Sequence, residues 1–147
     1  MITTKNIEQA RKEIQKLVRA GEKVVVEAGS DEFNRKIFEI KDVDMVVGLE
    51  MHGRRDYMKQ RDSGLNEILA KLAKKDGIVI GVDVDRIVEL DKLEKGKVLG
   101  RLRQNVKLCR RVGARIVVIG ADRKEASGLI VSLGGSTVQG KMAYNKL

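Results

Sequence analysis

The chain has 147 residues, room for a single domain spanning all of it, 1–147, with a substantial core. It carries 30 Lys and Arg against 21 Asp and Glu, a net charge of +9, which points to polyanionic partners, nucleic acid ahead of an anionic membrane surface. A single cysteine, Cys109, excludes an intramolecular disulfide, one histidine, His52, is too few for a zinc site, and no apolar run is long enough to cross a bilayer, so a cytoplasmic location away from membrane is expected.

The elements read in order as follows. Asn6 caps a first helix with Ile7, Ala10, Ile14, Leu17 and Val18 on its apolar face, closed by Gly21. Lys23 to Ala28 (K-V-V-V-E-A) is a strand, and Gly29-Ser30 turns into a short helix from Asp31 to Phe38 with Phe33, Ile37 and Phe38 inward. Asp44 to Gly48 is the second strand, followed by a polar loop from Glu50 to Asp62. Ser63 is positioned as the N-cap of the next helix, with Asn66 three residues on. Leu65, Ile68, Leu69 and Leu72 give that helix one apolar face, Glu67 precedes Lys71 at the favoured ion-pair spacing, and Gly77 ends it.

Ile78 to Val82 is the third strand, and Val84 to Leu93 a short helical turn. A long helix then runs from about Lys97 to Val112, with Leu99, Leu102, Val106 and Cys109 as its stripe and Gly113 as its stop. Arg115 to Ile119 is the fourth strand, Ser127 to Leu133 a further helix, and Ser136 caps a last one reaching the C-terminus. Short Val/Ile-rich strands alternating with helices predict an α/β fold of βα repeats with about four parallel strands. Four are half of a TIM barrel, so the barrel is expected to be incomplete and its edges to need a cover; a doubly wound sheet is the alternative.

The charge is concentrated. From Lys95 to Ala121 there are eight basic residues and no acidic one. Arg101, Arg103, Lys107 and Arg110 lie on the long helix, the last three at i, i+4 and i+7, a row able to track a phosphate backbone. The loop before the Ser63 helix adds Arg54, Arg55, Lys59 and Arg61, with Gly64 placed to let a phosphate approach a helix N-terminus. The plainer readings are a solvated charged face, and Asp62 filling that N-terminus from within. Aromatics are too few for single-strand binding by stacking, so shape and backbone charge of a folded RNA are the expected targets.

Intrinsic catalysis has a weaker case. His52 stands without a nucleophile elbow, and Cys109 belongs to an apolar stripe. Glu27, Glu50, Asp83 and Asp122 follow strands, where they would hold Mg²⁺ for phosphoryl transfer in a small TIM-like phosphoesterase, or would simply cap helices and turns. A protein-interaction scaffold built on an open sheet edge is a third reading.

Q-R-D-S-G-L-N-E-I-L-A-K-L-A followed by G-I-V-I-G resembles the signature of the ribonuclease P protein component 3 family of archaea and eukaryotes. V-V-V-E-A-G-S-D-E-F-N-R, V-D-M-V-V-G and the late S-L-G-G are similar to further segments of that family, as is the basic character of the helix carrying Arg101, Arg103 and Lys107. The resemblance implies a TIM-barrel-like fold, related to the PHP hydrolases but without their metal-binding His and Asp residues. It implies no catalytic and no metal-binding residue in this chain, and Mg²⁺ acting instead at the RNA active site of the holoenzyme. The partners it implies are ribonuclease P RNA, precursor tRNA and a small ferredoxin-like protein subunit, in a heterotetramer, and the function is RNA binding in support of 5′-leader removal. Relatives begin with further strand–helix units absent from this sequence, and I-G-A-D-R-K-E-A-S-G replaces their Ser-Ala turn and Trp-Asp-Leu-Arg-like segment, keeping Arg123.

Overall fold

The computed structural model describes residues 1–51, 54–58 and 60–146; His52 and Lys59 lie outside that set. In chain order the elements are α1 (Ile7–Arg19), β1 (Val25–Glu27), α2 (Asp31–Phe38), β2 (Met45–Val47), α3 (Glu67–Asp76), β3 (Val79–Asp83), α4 (Val84–Val88), α5 (Lys92–Val112), β4 (Ile116–Ile119), α6 (Arg123–Ser132) and α7 (Thr137–Met142). Asn6, Ser30 and Ser136 each accept a backbone N–H three residues on, opening α1, α2 and α7 as the sequence predicts.

Three helix starts differ from expectation. α3 is capped by Asn66, which accepts from the Leu69 N–H, while Ser63 stays in the loop and donates to the Leu65 carbonyl. The cause is Gly64. Its φ of +77° breaks a right-handed start, and a Cβ there would stand 2.1 Å from the Leu49 carbonyl oxygen, so only glycine lets the loop pass that backbone. The later start turns the helix: Leu69, Ala70 and Ala73 face the core, and Ile68 is 71% exposed. α5 begins before Gly96, with Asp91 accepting from the Glu94 N–H. α6 begins at Arg123 behind a full capping box of Asp122 and Glu125. Val18 is exposed rather than inward, and the last helix stops at Met142.

The four strands form one all-parallel sheet in the order β1-β2-β3-β4, with Val26, Val46, Ile80 and Ile116 in one row across it. Because each crossover steps the same way, the helices gather on one face, as on a barrel wall; a doubly wound sheet would reverse direction. That face carries the main core, where Val26, Val46, Ile80 and Val118 meet Ala10, Ile14, Phe33, Ile37, Leu69, Leu102 and Val106. The opposite face has a small apolar cluster of its own, Met45, Val47 and Val117, with Val25, Val79 and Ile119 against it. Met45 and Val47 fill the space that a side chain at Gly81 would need.

The sheet is open: β1 and β4 do not pair with each other. Each edge is partly covered by a single residue of the same chain. Ile2 pairs with Val26, its N–H donating to the Val25 carbonyl, and Tyr144 pairs with Val118. Among the described residues no helix is long and apolar enough to cross a membrane.

Candidate nucleic-acid interface

α5 is 21 residues long, roughly 32 Å at the rise of an α-helix. Its inner side buries Val98, Leu102, Val106 and Cys109, and burial pushes the Cys109 thiol up to about 12, which makes it an inert packing group. Two polar residues are buried on the same side. Arg101 donates from Nε to Asp56 at 3.1 Å, and from its two terminal nitrogens to the Glu50 carbonyl at 3.1 Å and the Arg54 carbonyl at 3.0 Å. Asn105 donates to the Ser63 carbonyl at 3.0 Å, and neighbouring Gln104 donates to the Arg61 carbonyl at 2.9 Å and the Ser63 hydroxyl at 3.1 Å. These contacts hold the loop from Glu50 to Ser63 along α5.

Arg101, 4% exposed, is therefore not a surface cation, and its place among the phosphate contacts is corrected. Arg54 is corrected likewise. Its side chain is 6% exposed, pairs with Asp31 and with Asp62 at 3.2 Å, and donates to the Leu49 carbonyl at 3.0 Å and the Gly29 carbonyl at 3.4 Å. Asp62 thus answers Arg54, not a helix N-terminus. Gly64 precedes α3 and serves the close approach to Leu49, so the phosphate approach assigned to it is also overturned.

The other predicted cations reach solvent. Arg55, Arg61, Arg103, Lys107 and Arg110 are exposed; Lys59 is outside the described residues. Among the described residues Arg103, Lys107 and Arg110 have no ion-pair partner, whereas Lys97 answers Glu94 and Lys71 answers Glu67 elsewhere on the surface. Arg61 joins them through Gly100: a Cβ at Gly100 would stand 2.7 Å from the Arg61 guanidinium, which lies flat across the helix there. Arg61 of the loop and the cations of α5, separate in sequence, thus lie on one cationic face in space. Asp56 lies at its margin, 3.5 Å from Arg61 and shared with Arg101.

The carboxylates following the strands are otherwise engaged. Asp83 caps α4 and Asp122 caps α6. Glu27 pairs with Lys5 at 2.8 Å and Arg86 at 2.5 Å; burial pushes its carboxyl up, but these two cations outweigh it and hold it below the usual range. Glu50 is 1% exposed, and among the described residues neither carboxyl oxygen has a hydrogen bond of good geometry, although its own backbone N–H lies near enough to ease its charge. Burial drives this carboxyl up to about 7 and the Asp83 charge adds to it, against the pull of Arg86 and Arg54. Among the described residues no group of three or more His, Cys, Asp or Glu is placed to hold a metal ion.

Sequence reasoning missed Asp56, Gln104 and Asn105, which position the loop. The available signal was a pair of amides, Gln104-Asn105, inside the apolar stripe of a helix, where polar groups persist only with partners.

No protein-family model matches the chain. Curated relatives do. Over 117 residues, 80% of the chain, it is 26% identical to ribonuclease P protein component 3 of Methanococcus maripaludis strain C7, and 27% identical to that of Methanocaldococcus jannaschii. The match covers 47% of each relative, so the chain spans about half the length of the curated relatives it matches. In fold it is similar to a chain in a cryo-EM structure of archaeal ribonuclease P with mature tRNA, with a TM-score of 0.74 at 21% identity, over 97% of this chain and 62% of that one. The chain is thus similar in sequence to ribonuclease P protein component 3 and in fold to a chain of archaeal ribonuclease P, over a shorter span than those proteins possess.

Proposed function

We propose that the chain is a non-catalytic, RNA-binding protein subunit of ribonuclease P that supports 5′-leader removal from precursor tRNA. The observation that carries this is the single cationic face of Arg61, Arg103, Lys107 and Arg110, held in place by the buried Arg101 clamp, on a chain similar to component 3. Exposed guanidinium and ammonium groups that outnumber the carboxylates beside them are suited to phosphates, and each contact releases condensed counterions. Neutralising phosphates where RNA strands approach each other relieves their repulsion, a task otherwise left to Mg²⁺. The chemistry stays with Mg²⁺ at the RNA active site, and the small ferredoxin-like subunit is the protein partner in this reading.

The test is cleavage of precursor tRNA by the catalytic RNA across Mg²⁺ concentrations, with and without this chain and the small subunit. The expected result is that the chain lowers the Mg²⁺ needed for cleavage, and that Arg103→Glu with Lys107→Glu and Arg110→Glu removes the effect. Cleavage indifferent to the chain at every Mg²⁺ concentration would overturn the proposal. The phosphoesterase reading receives no support from the geometry, since Asp83 and Asp122 are helix caps, Glu27 is bound between two cations and Glu50 is sealed from solvent.

A further inference from the structure

Between the loop and α5 the cationic face opens into a notch of about 430 Å³, lined by Tyr57, Met58, Gln60, Arg61, Arg103 and Lys107, with Gly100 at its floor. The chain has four Phe and Tyr rings. Phe33 and Phe38 are in the core, and Tyr144 lies under the Arg123 guanidinium at 5.1 Å. Tyr57 is 68% exposed, its own N–H donating to the Gln60 carbonyl at 3.0 Å. An aromatic face turned to water beside three cations is the arrangement that takes an unstacked base with its phosphate. The volume falls in the range of about 300–1,000 Å³ typical of small-ligand sites. A paired strand does not fit this chemistry, because its bases are stacked and the deep groove of A-form RNA excludes side chains.

We infer that this notch binds one unpaired nucleotide of a folded RNA, its base stacked on Tyr57 and its phosphate held by Arg103 and Lys107 beside Arg61. Asp56, which also lines the notch, is shared by Arg101 and Arg61 and so leaves Arg103 and Lys107 to the phosphate. Gln60 and Gln104 also line the notch, the Gln104 amide N–H already given to the Arg61 carbonyl and the Ser63 hydroxyl. The inference rests on the reading of the chain as an RNA-binding subunit, and it adds to it: the surface selects bulged or looped RNA over continuous duplex.

The experiment measures equilibrium binding of the full chain to two fluorescent RNA hairpins of equal length, one fully paired and one with a single unpaired uridine in its stem. Wild type is expected to prefer the bulged hairpin about tenfold, the usual scale of one base–aromatic stack. Tyr57→Ala should abolish the preference while leaving affinity for the paired hairpin unchanged; Tyr57→Phe should retain it. With 5-iodouridine at the bulge, irradiation should cross-link the peptide that holds Tyr57. Equal binding of the two hairpins by wild type, or a preference that survives Tyr57→Ala, overturns the notch. Arg103→Glu with Lys107→Glu separates the two levels: weakened binding of both hairpins keeps the cationic face even if the notch fails. Absence of binding to either hairpin removes the RNA-binding reading together with the notch.

Discussion

Glu50 is a carboxyl that cannot ionise without loss. It sits out of solvent near Arg86 of α4, Asp83 at the end of β3 and Arg54 of the loop, while Arg101 of α5 takes its carbonyl rather than its side chain. Its proton is held to about 7 in the folded state, against 4.5 when exposed. Between those values the folded chain binds more protons than the unfolded one, so this residue's contribution to stability falls as pH rises through the window and is gone above it. A displacement of that size corresponds to about 3 kcal/mol. Glu50→Gln keeps the shape without the charge. It should raise stability at pH 8 by up to about 3 kcal/mol and leave it little changed at pH 4.5. Urea unfolding at the two pH values checks this; an equal effect at both would show that the charge is not what costs stability. Glu50 also shows what a sequence hides. In the sequence it is one of four carboxylates following strands, and only the folded chain shows that it is the one sealed from water. Arg54 and Arg101 are the converse: nothing local distinguishes a guanidinium that meets two carbonyls and one or two carboxylates from one that faces a phosphate.

At the scale of the element, the legible parts were those fixed by neighbours in sequence. Asn6, Ser30, Gly77 and Gly113 end or open helices by contacts within one turn, and all act as the sequence predicts. The start of α3 was not legible, because Ser63 and Asn66 are both capable caps and the choice between them is made by the distant Leu49 carbonyl pressing on Gly64. The start of α5 was masked by Gly96, which reads as a breaker but stands well inside a helix capped by Asp91. The two glycines of α5 give a test. A Cβ at Gly96 meets nothing within 4 Å, while one at Gly100 meets Arg61. Gly96→Ala should therefore stabilise the protein by about 0.5–1 kcal/mol, from helix propensity alone, with RNA affinity unchanged. Gly100→Ala gains the same propensity, because the displaced group is the free end of a long side chain, but it lifts Arg61 off the helix. Thermal melts should move together for the two variants and RNA affinity should fall only for Gly100→Ala. Equal affinity in both would separate Arg61 from the binding face.

Across the whole molecule, the fold places its charge by where its sheet is closed and where it is not. The helices lie on one face, each sheet edge is partly covered by Ile2 or Tyr144, and the outer side of α5 carries Arg103, Lys107 and Arg110 beside Arg61 of the loop. The net charge of +9 would by itself attract any polyanion weakly and at long range. A built interface differs in having a fixed number of contacts, and salt counts them. The logarithm of the binding constant falls against the logarithm of salt by about 0.9 per neutralised phosphate on a duplex and about 0.7 on a single strand. With Arg61, Arg103, Lys107 and Arg110 as the contacts, the slope should be about −3 to −4, and Arg103→Gln with Lys107→Gln should halve it. A charged surface without a site gives another pattern, because removing two of thirty cations anywhere then trims the slope slightly. The control is Lys12→Gln with Lys16→Gln on α1, on the solvent side of a helix that takes no part in the face. Titration of both double variants against one RNA over a salt series decides the matter. If the α1 and α5 pairs lower the slope alike, binding belongs to the net charge of the molecule and not to the face the fold assembles.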